Sequence, residues 1–92
     1  MDFQYADGMI SYSVGEEVKA KITFPATGDG TIWDIDHIFV DESLRGQGIA
    51  NQLLAEVVRL AQERHMQLKI TCPFAQKVFA KTPEYQALEV KY

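Results

Sequence analysis

Alternation of apolar and polar residues marks the early part of the chain. Between Glu17 and Phe24, the residues Val18, Ala20, Ile22 and Phe24 take turns with Lys19, Lys21 and Thr23. A period of two predicts a strand with one buried and one wet face. Met9 to Ser13 reads as a shorter strand before it, and Val14-Gly15-Glu16 is brief enough to join the two as a hairpin. Pro25 to Gly30 is rich in proline and glycine and predicts a second turn. Thr31 to Val40 follows as a third strand, whose second half is apolar enough to be buried on both faces.

After Gly48 the period changes. Ile49, Leu53, Val57, Leu60, Ala61 and Arg64 recur at helical spacing, with Asn51, Gln52, Glu56, Arg59 and Gln62 between them, which predicts one helix with a packed stripe. Gln67 to Cys72 reads as a fourth strand, and a helix of this length between two strands forms a right-handed crossover that sets them parallel. Pro73 suits the first turn of a second helix ending near Lys81, with Phe74, Val78 and Phe79 on its inner face. Thr82-Pro83-Glu84 repeats that start signal, and Leu88 to Tyr92 reads as a last short strand.

Composition narrows the class. With 92 residues, 47% of them hydrophobic, the chain suffices for one core, so a single domain over 1–92 is expected. A formal charge of −4, from nine basic and thirteen acidic residues, argues against a nucleic-acid surface. Cys72 is the only cysteine, which excludes an internal disulfide, and the first residues lack the charged and apolar segments of a signal peptide, so a cytoplasmic protein is expected. No apolar run approaches the about 20 residues that span a bilayer, and no membrane partner is expected.

The candidate chemistry centres on Arg45-Gly46-Gln47-Gly48-Ile49-Ala50, where the strand ending at Val40 hands over to the long helix. Glycines let the backbone turn tightly and approach a ligand. The first amides of the following helix have no intrahelical acceptor and are free to donate to phosphate, aided by the helix dipole and by a guanidinium at Arg45. An ordinary strand-to-helix turn is the alternative. The loop is no Walker motif, because neither lysine nor hydroxyl follows Gly48, and it lacks the third glycine of a dinucleotide fingerprint.

Other residues carry two readings. Cys72, directly before Pro73, would be a helix N-cap, a position that activates thiols as nucleophiles; the alternative is a small buried apolar group. His37 is a candidate proton acceptor or a satisfied core histidine, and its pattern neighbours Ile35 and Phe39 place it on an inward face. His65 reads as solvated at the helix end. Asp34 and Asp36 share a strand face without further ligands, and no metal is predicted. Trp33, Phe39, Phe74, Phe79 and Tyr85 read as core. Lys77 and Lys81 read as solvated surface, with reach to phosphates near the second helix as the alternative.

The order strand, Arg-Gly-Gln-Gly-Ile-Ala, helix, strand resembles the cofactor-binding core of the GNAT superfamily of acyl-CoA-dependent N-acetyltransferases, with its Arg/Gln-x-x-Gly-x-Gly/Ala signature. Asp36-His37-Ile38-Phe39-Val40, the run Leu44 to Leu54, and Cys72-Pro73-Phe74-Ala75 through Thr82-Pro83-Glu84-Tyr85 resemble its very small single-domain members, which carry a cysteine after the strand that follows the signature helix. The resemblance implies an α/β (α+β) fold: a mainly antiparallel, splayed sheet with a parallel pair around the CoA site and two main helices. It implies that Arg45, Gly46, Gln47, Gly48, Ile49 and Ala50 bind the pyrophosphate of acetyl-CoA. It also implies that the pantetheine arm pairs with the backbone of Ile38, Phe39 and Val40, and that the arm lies where the strands of Ile38 and Ile70 splay, with Cys72 near the thioester. A typical member has helices between its first two strands that help form the acceptor site; here a tight turn stands in their place.

The function expected is acetyl transfer from acetyl-CoA to an amine of a small molecule or protein, directly or through Cys72, with Cys72 and His37 as catalytic candidates. Two alternatives stand beside it: a CoA-binding regulatory module without turnover, and an interaction domain whose exposed sheet edge pairs with another chain. The chain is expected to act as a monomer or a weak homodimer.

Overall fold

A computed structural model describes residues 2–28 and 30–90. The alternating N-terminal region forms strands at Gln4–Ala6 (β1), Met9–Val14 (β2), Glu17–Thr23 (β3), Ala26–Thr27 (β4), Ile32–Ile35 (β5) and His37–Val40 (β6). A single 3₁₀ turn at Glu42–Leu44 leads to the long helix Ile49–Arg64 (α1), then to strand Gln67–Ile70 (β7) and the helices Pro73–Lys81 (α2) and Pro83–Gln86 (α3).

The strands make two sheets. One is antiparallel, in the order β1-β2-β3-β6; the other has the order β4-β5-β7, with β5 and β7 parallel as the crossover requires. Period-two patterning works across the first sheet. Ile10 pairs with Ile22, and Ile22 with Ile38, so three isoleucines stand in one row on the face that meets α1. On the opposite face Ser11, Lys21 and Phe39 form the matching row.

Helix α1 covers the inner face with Ile49, Leu53, Leu54, Val57, Val58 and Ala61, all buried. Truncating a fully enclosed residue such as Leu53 to alanine would cost about 2–5 kcal/mol. The helix closes at His65, which takes left-handed backbone angles (φ 55°, ψ 42°) and donates its amide to the carbonyls of Ala61 and Gln62. Arg64 is exposed, and its guanidinium lies 5.8 Å from the ring centre of Trp33. Among the described residues no helix is long and apolar enough to cross a membrane.

Five expectations change in detail. The third strand is two strands, broken at Asp36. The fourth ends at Ile70 rather than Cys72, because α2 begins at Pro73. The buried stripe of α2 is Ala75 and Phe79, three and seven residues after the buried Cys72, while Val78 is half-buried and Phe74 is exposed. Phe39 is also exposed and so is not core, whereas Trp33 and Phe79 are buried as expected. The tail makes a single parallel bridge, Leu68 with Glu89, held by bonds of 2.8 Å from the Leu68 amide to Leu88 and from the Val90 amide to Leu68. Lys91 and Tyr92 of that expected strand lie outside the described residues.

β1 had no signal in the alternation. It is held to α1 from outside, by the Tyr5 hydroxyl donating to the Glu56 carboxylate; Glu56 in turn pairs with Arg59 at 3.0 Å, and Arg59 with Glu63 at 3.2 Å.

Candidate functional site

The two sheets part at one residue. The carbonyl of Ile35 accepts the amides of both Thr71 and Cys72 at 3.0 Å, so it is the last group of this strand held to the β7 side. The next amide, of Asp36, donates instead to the Thr23 carbonyl on the β3 side at 3.2 Å. Side chains repeat the division. Thr71 Oγ1 donates to Asp34 at 2.8 Å, while the Thr23 hydroxyl donates to Asp36. Beyond this fork β6 is the last strand of its sheet, with β3 on one side only. Its second edge, along Ile38, Phe39 and Val40, has no strand partner among the described residues and is open to an extended chain of amides.

At the end of β6, Asp41 caps the 3₁₀ turn by accepting from the amide of Ser43 at 3.0 Å and from its hydroxyl. Those hydrogen bonds, hydroxyl first, with help from the charges of Lys19 and Arg45, hold its carboxyl below the ordinary aspartate range. The turn delivers an extended Arg45, then Gly46 (φ 83°) and Gly48 (φ 74°) in left-handed backbone. A Cβ placed on either glycine would meet no atom within 4 Å. Backbone conformation, not crowding by the protein, therefore demands glycine here.

Gly48 is the N-cap of α1 and brings no side chain to it, so the amides that open the helix have no capping partner. They face a concavity of about 290 Å³ whose walls include Val40, Arg45, Gly46, Gly48, Ile49 and Ala50. Arg45 makes no ion pair among the described residues. Uncapped amides, the positive end of a helix of 16 residues and the unpaired Arg45 thus adjoin one concavity, a combination suited to an anion.

Six of the expected cofactor residues thus share one cleft, and the others fall elsewhere. Gln47 is exposed and lies outside the cleft wall. Ile38 packs half-buried against the core. Ile70 lines a different concavity with Phe79 and Gln86. Cys72 is the N-cap of α2 as expected, its amide is bound at the fork, and the residue is buried, with 6% of its surface exposed.

His37 is corrected from an inward to an outward position. Thr23 faces two residues, pairing in register with His37 while its carbonyl takes the amide of Asp36. Asp36 lies between β5 and β6, where the chain crosses from one sheet to the other, and the alternation slips there by one residue. Ile35 stays inside, Asp36 and His37 are both exposed, and Ile38 returns inward. His37 and Phe39 consequently line a shallow space of about 310 Å³ with Val18 and Lys21, on the far side of the sheet from α1.

Sequence patterns missed three walls of this cleft: Leu44, Asn51 and Phe74. Phe74 had a visible signal, since it follows Pro73 directly and so lies one position off the Cys72, Ala75, Phe79 stripe.

A family model described as GCN5-related N-acetyl-transferase matches residues 9–88. Protein NATD1 of Danio rerio is 31% identical over 75 residues, which span 82% of this chain and 67% of that protein. The solution structure of a GCN5-like protein from Staphylococcus aureus superposes with a TM-score of 0.80 at 27% identity, covering 99% of this chain and 89% of the other. An aminoglycoside N-acetyltransferase solved in complex with CoA shares the fold at 20% identity, with a TM-score of 0.57 over 95% of this chain and 71% of its own. This chain belongs to the GCN5-related N-acetyltransferase family.

Proposed function

We propose that the protein binds acetyl-CoA and transfers its acetyl group to an amine. The observation that carries the reading is the uncapped start of α1, which opens through two left-handed glycines onto a cleft at the end of the free edge of β6. The amides of Ile49 and Ala50, with Arg45, would hold the diphosphate. The backbone of Val40, Phe39 and Ile38 would hold the amide-bearing arm, directing it toward the fork. Bound acetyl-CoA supplies the activated acetyl thioester; the chain supplies position and proton transfer.

The fork separates two candidate side chains. His37 stands on the outer side, beside the space it shares with Val18, Lys21 and Phe39. There its imidazole would accept the proton that an attacking amine loses. Cys72 closes the other side. Because Cys72 is buried, with 6% of the residue exposed, we infer direct transfer to the amine, with Cys72 as a packed wall of the site. A route through the cysteine would form an Sγ–acetyl bond as the CoA–acetyl bond breaks, with the thiol proton passing to CoA.

Thermal unfolding with acetyl-CoA, CoA, ATP and NAD tests the cofactor. Ligand at about 100 times its dissociation constant adds about 2.7 kcal/mol, which moves a domain of this size by roughly ten degrees or more. A shift with the CoA species alone supports the reading, and no shift with any of them ends it. Release of free CoA thiol in the presence of an amine panel then separates an enzyme from a binding module. His37→Gln should lower turnover by about a hundredfold. An acetyl adduct on Cys72 in the intact mass would replace direct transfer with the cysteine route.

A further inference from the structure

Asn51 and Phe74 wall the diphosphate cleft and also, on their other side, a second concavity of about 380 Å³. The two hollows are therefore neighbours over a shared rim. Lys77, Val78 and Lys81 line the second one. Phe74, Lys77 and Lys81 stand at i, i+3 and i+7 along α2 and form one stripe, distinct from the buried stripe of Ala75 and Phe79.

The arrangement is unfavourable as mere surface. Two lysines four residues apart on one helix face repel each other. Neither has an acidic partner within ion-pair distance among the described residues, although the chain carries a net charge of −4. Beside them Phe74 leaves 39% of its surface exposed. An aromatic face next to two unpaired ammonium groups fits a planar base carrying a phosphomonoester.

We propose that this groove is a subsite for the adenosine 3′-phosphate of coenzyme A, with the base against Phe74 and the phosphate between Lys77 and Lys81. The inference rests on the cofactor reading above, and adds that the protein selects the 3′-phosphorylated nucleotide over its dephosphorylated form.

Isothermal titration of the intact protein with CoA and with 3′-dephospho-CoA, at one fixed ionic strength, tests it. CoA should bind at least about tenfold more tightly, as expected for lost charge-assisted hydrogen bonds. The Lys77→Gln, Lys81→Gln double variant should weaken CoA to the level of dephospho-CoA and leave dephospho-CoA unchanged. Phe74→Ala should weaken both ligands by about tenfold. Equal affinities in the unmodified protein overturn the subsite while leaving the cofactor reading intact. So does discrimination that survives in the double variant. Failure of both ligands to bind overturns the cofactor reading and the subsite together.

Discussion

Thr23 and Asp36 hold each other twice: the threonine hydroxyl donates to the aspartate carboxylate, and the Asp36 amide donates to the Thr23 carbonyl at 3.2 Å. This pair sits where β5 passes into β6, so it fixes the residue at which the two sheets diverge. Thr23→Val keeps the branched shape and the backbone bond but deletes the hydroxyl. It should cost about 1 kcal/mol in urea denaturation. If the pair sets the mouth of the cleft, the same variant should also weaken acetyl-CoA by several-fold. Unchanged affinity at reduced stability would make the pair purely structural.

Gly48 offers a cleaner separation of ligand effects from folding effects. Gly48→Ala forces an L-residue to φ 74°, at a cost of about 1 kcal/mol or more. Its methyl would meet no protein atom within 4 Å, and Gly48 lines the cleft proposed for the cofactor. Gly15→Ala is the control, because Gly15 also has positive φ (63°) and open surroundings but lies in the β2–β3 turn. Both should lose similar stability, and only Gly48→Ala should lose acetyl-CoA binding. Equal binding in the two variants would remove Gly48 from the site.

Asp41 gives a pH dependence with a definite sign. Its folded carboxyl is depressed by the Ser43 hydrogen bonds and by the charges of Lys19 and Arg45. Its contribution is therefore complete above the unfolded aspartate value, about 4, and disappears as pH falls through the lower folded value. Thermal midpoints measured between pH 7 and acid should fall more steeply for the unmodified chain than for Asp41→Asn. Parallel curves would show that the cap does not bear on stability.

The reading of the sequence succeeded where the signal was local. The β2–β3 hairpin, α1 and the glycine turn each depend on a short run of residues whose periodicity or backbone freedom suffices, as the row Ile10, Ile22, Ile38 and the left-handed N-cap Gly48 illustrate. It failed where distant strands compete for one backbone. The slip at Asp36 exists because Thr23 claims that amide while Thr71 and Cys72 claim the carbonyl before it, and nothing between Thr31 and Val40 announces either claim. One slipped residue was enough to turn His37 and Phe39 to the other face. Phe74 was misread for a subtler reason. Its helix is short and its apolar residues admit two stripes, and the buried Cys72 selects the one containing Ala75 and Phe79.

His65 ends α1 in a conformation that side chains bearing a Cβ adopt only at a cost, and glycine adopts freely. His65→Gly should raise the urea midpoint, by about 1 kcal/mol of stability, and an unchanged midpoint would show that the imidazole compensates its own strain. The residue lies at the far end of a helix of 16 residues, about 24 Å from the anion cradle. A single exchange there would make the molecule hardier without altering any wall of its cleft, and so would supply a tougher parent chain in which damaging cleft variants stay folded long enough to be assayed.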